Sequence, residues 1–228
     1  MDTSNLGYEI SIWLLPVLVA ITFHEAAHGF VAHWRGDDTA WRLGRVSLNP
    51  TKHIDPFGTL LLPALLLLLR APFLFGYAKP VPVNFRALHQ PRLDTILVAA
   101  AGPAMNLLLA ILAAVSFHFV GYAPPTMAHW AAENLKNALL LNVVLAVFNL
   151  LPLPPLDGGR IAVVLLPRAL AVPLARMEPY GLLILIGLLF LLPALGAQIG
   201  VNLNVISHII ARATNFIIPV ILQLAGFG

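Results

Sequence analysis

The residues whose types and spacing carry the clearest chemistry are His24-Glu25-Ala26-Ala27-His28. On a helix, residues four apart project from one face, so both imidazoles can hold one zinc ion and Glu25 can reach a water molecule on it. The setting strengthens the signal. Residues 8–21 are almost wholly apolar, and a carboxylate placed after such a run is expensive unless it serves a function. Two histidines do not complete a catalytic zinc site, which usually has three protein ligands and an open position. The chain has no cysteine, so further ligands must come from His, Asp, Glu or Asn. Among its 10 acidic residues Asp157 stands out. It follows Pro152, Pro154 and Pro155, precedes Gly158-Gly159, and lies where an apolar helix resumes. A helix broken at membrane depth leaves backbone groups in need of partners and is a favoured place for polar chemistry.

The elements that must position these residues follow from composition. Of the 228 residues, 59% are hydrophobic and 10% charged, where a soluble domain has roughly 25% charged. The mean hydropathy is +0.87. The expectation is an all-α polytopic membrane protein with about six membrane segments. They fall at residues 8–34, 57–77 (short or re-entrant), 93–120, 131–150 with a resumption at 158–166, 180–192 and 201–224. Residues 41–48 alternate loosely and are expected to form a small extended or β element after the first helix. Pro80 and Pro82 bar a helix over residues 78–84 and favour an extended chain. The whole chain, 1–228, is expected to be a single membrane-embedded domain, with a core over about 8–170 and two further helices over about 180–226. No cleavable signal peptide is expected, because the start lacks a basic region.

A net charge of +3 and a pI near 9.6 could suggest nucleic acid, but the basic residues have a plainer reading. They cluster in the loops after the first segment (Arg35, Arg42, Arg45, Lys52), before the third (Lys79, Arg86, Arg92) and after the proline-broken one (Arg160, Arg168, Arg176). By the positive-inside rule these loops are cytoplasmic. His28 lies about 10 Å along a helix from Arg35, and Asp157 lies three residues before Arg160. Both halves of the site are therefore expected near the cytoplasmic side. His33 and His53 read as solvated residues near the interface.

Together, His24-Glu25-x-x-His28 and the run from Asn149 through Pro152, Pro154 and Pro155 to Asp157-Gly158-Gly159 resemble the site-2 protease family of intramembrane zinc metalloproteases. Ala101-Gly102-Pro103-Ala104-Met105-Asn106 is similar to that family's small-residue helix motif, and Gly76 to Pro82 to a segment of its compact members, which have no PDZ or CBS domain. The resemblance implies one Zn2+ per chain, bound by His24, His28 and Asp157. It implies that Glu25 is the general base and acid, that Asn149 bonds the substrate backbone or the developing oxyanion, and that Asn106 lines the substrate site. The implied partners are the lipid bilayer and membrane-protein substrates cut within or near a transmembrane helix, in regulated intramembrane proteolysis, with no role for nucleic acid. The implied location is a prokaryotic cell (inner) membrane. A divalent-metal transporter is the competing class, since it too places His and acidic residues inside helices.

Overall fold

The structure is a computed structural model that describes residues 3–61, 65, 68 and 76–227. Its helices are α1 (Thr3–Trp34), α2 (Thr39–Arg42), α3 (Pro91–Ser116), α4 (Pro125–Asn149), α5 (Asp157–Leu165), α6 (Arg168–Arg176), α7 (Gly181–Ile186), α8 (Leu192–Gln198) and α9 (Val205–Leu224). A π-helical turn, Gly187–Leu191, joins α7 to α8. Among the described residues, 5 stretches are long and apolar enough to cross a membrane: Gly7–Trp34, Pro91–Tyr122, Pro125–Asn149, Arg168–Gln198 and Val205–Leu224. The chain is an all-α, multi-pass membrane protein.

The centre is the trio α1, α3 and α4. Lipid tails are as apolar as leucine, so such helices gain by close backbone approach and by hydrogen bonds across the interface. The sequence supplies both. Ala20, Ala32, Ala110 and Ala114 are fully buried. Asn137 Nδ2 on α4 donates to Ile12 O on α1 at 3.1 Å, and Trp130 Nε1 donates to Ser11 Oγ at 3.0 Å. Large side chains point outward instead: Leu14, Leu15, Phe30, Leu108, Leu112 and Phe216 are exposed. In water this would be an anomalous apolar surface; in a bilayer it is the lipid-facing belt.

One end of the trio is fastened by ion pairing. Arg35, just past α1, reaches Asp94 on α3 through Nη2 at 2.5 Å and Nε at 2.6 Å, and Asp94 also accepts from Gln90 N at 2.7 Å. Gly36, with φ of +105°, ends α1 in a conformation glycine adopts without strain.

One expectation changes. No strand occurs among the described residues, and the β element expected over 41–48 is replaced by the one-turn helix α2 followed by turns. The cause is local. Asp37 Oδ1 accepts from Thr39 N at 2.9 Å and so starts the turn, while Gly44 N and Arg45 N bond back to Trp41 O and Ala40 O, both at 2.9 Å. With its backbone satisfied within the turn, the segment has no need of a ladder partner. Residues 76–84, expected to be extended over 78–84, form neither helix nor strand. The segment expected over 57–77 falls largely outside the described residues. Its start, Pro56–Leu61, is π-helical, with Asp55 Oδ1 accepting from Gly58 N at 2.7 Å.

Candidate active site

His24 and His28 lie on the inner face of α1, each less than a tenth exposed. Their Nε2 atoms are 3.1 Å apart. Asp157 is the first residue of α5, and its Oδ2 is 3.4 Å from each Nε2. The ligand atoms all lie within 4.8 Å of one another. Two glycines make this approach possible. A Cβ on Gly102 of α3 would collide with both histidine rings, and one on Gly158 would collide with the Leu150 and Leu151 carbonyls, which the start of α5 lies against. The small-residue motif on α3 and the Gly-Gly after Asp157 thus have steric reasons.

The donor set fits a divalent cation. His28 Nδ1 lies 2.7 Å from Val98 O, which can only accept, so in the neutral ring Nδ1 carries the hydrogen and Nε2 the lone pair. His24 Nδ1 lies 2.6 Å from Asn106 Oδ1, giving the same tautomer. Asp157 Oδ2 is buried and has no hydrogen-bond partner. Three lone-pair atoms converging without a hydrogen between them repel one another unless a cation sits among them, and two imidazoles with one carboxylate suit zinc. Each ring's other nitrogen is tied to an acceptor, as is usual for metal-binding histidine.

Glu25, beside His24 in the chain, reaches the extended segment, where its Oε2 accepts from Val81 N at 2.7 Å. That segment is held along its length. Lys79 N donates to His53 O at 2.9 Å, Arg45 Nη2 donates to Lys79 O at 2.9 Å and Pro80 O at 3.2 Å, and Asn84 N donates to Asp37 Oδ2 at 2.6 Å. Asp37 is only 1% exposed; it is a buried anchor. His53, expected to be solvated, is buried with Nε2 2.8 Å from Ser47 O and serves the same fastening. His33 is half-exposed, stacked on Trp41 and 2.6 Å from Asp38.

A cavity of about 290 Å3 is lined by His24, Glu25, His28, Val81, Asn149, Asp157 and Arg160, among others. A second, of about 250 Å3, runs from His24, Glu25 and Asn149 to Tyr77, Leu182 and Leu185. Asn149, the last residue of α4, stands where the two meet. Its Nδ2 donates to Leu145 O at 3.0 Å, and the amide's second hydrogen remains to be offered to the cavity. Asn106 is the exception among the expected site residues. It is fully buried behind His24, bonds the imidazole and lines neither cavity. Sequence reasoning also missed Asp37 and the Val81 amide. For the amide no sequence signal exists. For the polar core one did: Asn134, Asn137, Asn142 and Asn149 recur toward one side of an otherwise apolar helix.

Known proteins resemble the chain. Residues 121–192 match the model of peptidase family M50. YwhC of Bacillus subtilis (strain 168) is 40% identical over 203 residues, covering 82% of this chain and 85% of its own. Rip2 of Mycolicibacterium smegmatis is 33% identical over 199 residues, covering 85% and 73%. Rip2 of Mycobacterium tuberculosis (strain H37Rv) is 33% identical over 203 residues, covering 86% and 75%. All three are zinc metalloproteases by name. No solved structure matches the chain. With a relative this similar over most of both lengths, the chain belongs to peptidase family M50, the site-2 protease family, and is a membrane zinc metalloprotease.

Proposed function

We propose that this protease is an intramembrane endopeptidase that hydrolyses peptide bonds within or near transmembrane helices of other membrane proteins, with zinc held by His24, His28 and Asp157. The observation that carries the reading is the convergence of these ligand atoms within 4.8 Å among helices themselves apolar enough to span a bilayer. It is the one such cluster among the described residues, which favours a hydrolytic centre over a transport pathway. When bound, zinc supplies Lewis-acid activation of water and of the scissile carbonyl.

Glu25 is the proton carrier. Its Oε2 is held by the Val81 amide, leaving Oε1 to take a proton from the attacking water as the C–O bond forms and to deliver it to the amine nitrogen as the C–N bond breaks. Asn149 offers its second amide hydrogen to the oxyanion that develops on the carbonyl. A substrate helix hides its carbonyls in i to i−4 hydrogen bonds, so it must unwind before attack. Residues 77–83, extended beside Glu25, offer an edge along which the unwound strand can pair. Arg45 and Arg160 stand near the site, which supports catalysis on the cytoplasmic side. The bacterial relatives support a prokaryotic cell membrane, and cleavage of a membrane-spanning helix is the step that regulated intramembrane proteolysis requires.

The test is cleavage of a single-span membrane protein by purified protein, comparing wild type with Glu25→Gln. Zinc should remain at one per chain while cleavage disappears; cleavage that survives the substitution would overturn the assignment. Replacing Val83 with proline should slow cleavage at unchanged zinc content if the segment acts as an edge.

A further inference from the structure

Behind His24 lies a chain of side-chain amides that reaches across to α4. Asn142 Nδ2 donates to Ala138 O at 2.9 Å, and Asn106 Nδ2 donates to Asn142 Oδ1 at 2.8 Å. Asn106 Oδ1 in turn lies 2.6 Å from His24 Nδ1. Asn106 and Asn142 are at most 1% exposed, so water is not at hand to replace a lost partner.

The direction of this chain is fixed from its far end. A backbone carbonyl only accepts, so the Asn142 atom facing Ala138 O must be the amide nitrogen. Its oxygen therefore faces Asn106 and requires a donor there, which turns the Asn106 nitrogen toward Asn142. A second carbonyl agrees, since Ala20 O lies 3.4 Å from the same nitrogen. The Asn106 oxygen is then the atom left for His24, and His24 Nδ1 must carry the hydrogen. Nε2, the atom facing Asp157, keeps its lone pair.

We propose that Asn142 is a positioning residue for the metal centre: through Asn106 it holds His24 in the tautomer that can bind zinc, although it touches neither the imidazole nor the cavity beside Glu25. The inference rests on His24 being a zinc ligand. Without Asn142, Asn106 loses the closer of the two acceptors that orient it and keeps only the 3.4 Å contact to Ala20 O, too long to hold the amide against rotation. The rotated amide donates to His24 Nδ1, moving the ring hydrogen to Nε2 and blocking metal binding. The relay also gives α1, α3 and α4 one shared register, since a shift of any helix breaks it.

The experiment measures zinc affinity by chelator competition in detergent for wild type, Asn142→Leu, Asn137→Leu and His24→Ala. Asn137 is the control, a buried amide on α4 that bonds α1 but lies outside the relay. Asn142→Leu should weaken zinc by about 10- to 100-fold, the usual effect of losing support behind a ligand, while Asn137→Leu stays within about twofold of wild type. Added zinc should restore Asn142→Leu cleavage with an unchanged KM. Equal weakening in both leucine variants, or wild-type affinity in Asn142→Leu, overturns the relay. Zinc binding that survives His24→Ala overturns the ligand assignment instead, so the two failures are distinct. If Asn142→Leu does not fold, nitrogen NMR of histidine in the zinc-free wild type, at a pH where the ring is neutral, decides: the relay requires the single hydrogen on His24 Nδ1, and a single hydrogen on Nε2 refutes it.

Discussion

In the apolar windows of α1, α3 and α4, between 33% and 39% of residues are buried, against 17% in both the Arg168–Gln198 stretch and α9. The two regions are equally suited to lipid but are held differently. The trio closes on alanine and glycine, with asparagines bonded across its interfaces. The later helices meet the rest through leucine and isoleucine, as in the cluster of Leu151, Leu156, Leu185 and Ile206. Small and polar contacts fix distance and register, whereas large aliphatic contacts tolerate sliding. A zinc site needs its ligands placed to a fraction of an ångström, and both histidines stand on the trio. The later helices wall one of the two cavities and touch the site loop closely where Gly181 packs against Pro154 and Pro155.

The sharpest way to break this contrast is to enlarge a small residue of the trio. Gly102→Val should force both histidine rings aside, lowering zinc affinity by more than the ~10- to 100-fold expected for a lost supporting contact and abolishing cleavage. Zinc content read by metal analysis checks it, and full occupancy would mean that α3 can yield. Next comes Asn149→Ala at the end of α4. It should lower kcat by about 10²- to 10³-fold, as removal of an oxyanion donor does, with zinc unchanged. Loss of zinc in that variant would show that Asn149 shapes the metal site and is not a donor to the substrate.

The contrast also separates what was legible in the sequence from what was not. The spans follow from apolar length, and the His24–His28 face follows from helical periodicity. Asp157 is legible because it interrupts an apolar run between prolines and glycines. Residues 41–48 misread because a loose alternation of apolar side chains carries no information on backbone partners, and Asp37 satisfied the turn locally. The contacts of Asn106 are hidden from the sequence for a related reason. Its spacing places it near His24, but whether the amide faces the ring or the cavity depends on Asn142, which lies 36 residues away on another helix. The hold of Val81 N on Glu25 spans 56 residues, and a backbone amide leaves no mark in a sequence at all.

Ion pairs should show the same difference between regions at smaller magnitude. The Arg35–Asp94 pair has side chains 27% and 0% exposed, whereas Arg160–Glu178, joining α5 to the segment after α6, has 39% and 54%. Arg35→Ala strands a buried carboxylate and should cost about 3 kcal/mol, the lower end for a broken buried pair because the arginine is partly solvated. Glu178→Ala removes a solvated partner and should cost between about 0 and 1 kcal/mol. Thermal unfolding in one detergent measures both, and equal losses would erase the distinction between a fastened trio and a loosely joined flank.

The smallest effect belongs to the exposed pair at the same end of α1. Asp38 Oδ1 is 2.6 Å from His33 Nδ1 with side chains 43% and 39% exposed. The hydrogen bond from His33 holds the Asp38 carboxyl below its ordinary range, with Arg42 adding to it. Because the folded value is the lower one, the contribution is present at neutral pH. It starts to fade as pH falls below the unfolded value of about 3.9 and is lost as pH passes through the folded value. Asp38→Asn should therefore lower the unfolding temperature slightly at pH 7, and the difference from wild type should close in acid. A gap that stays constant through the acid range would mean that the carboxylate's charge is not its source. That outcome would shift the stabilisation to the stacking of His33 on Trp41, a packing contact insensitive to the ionisation of Asp38.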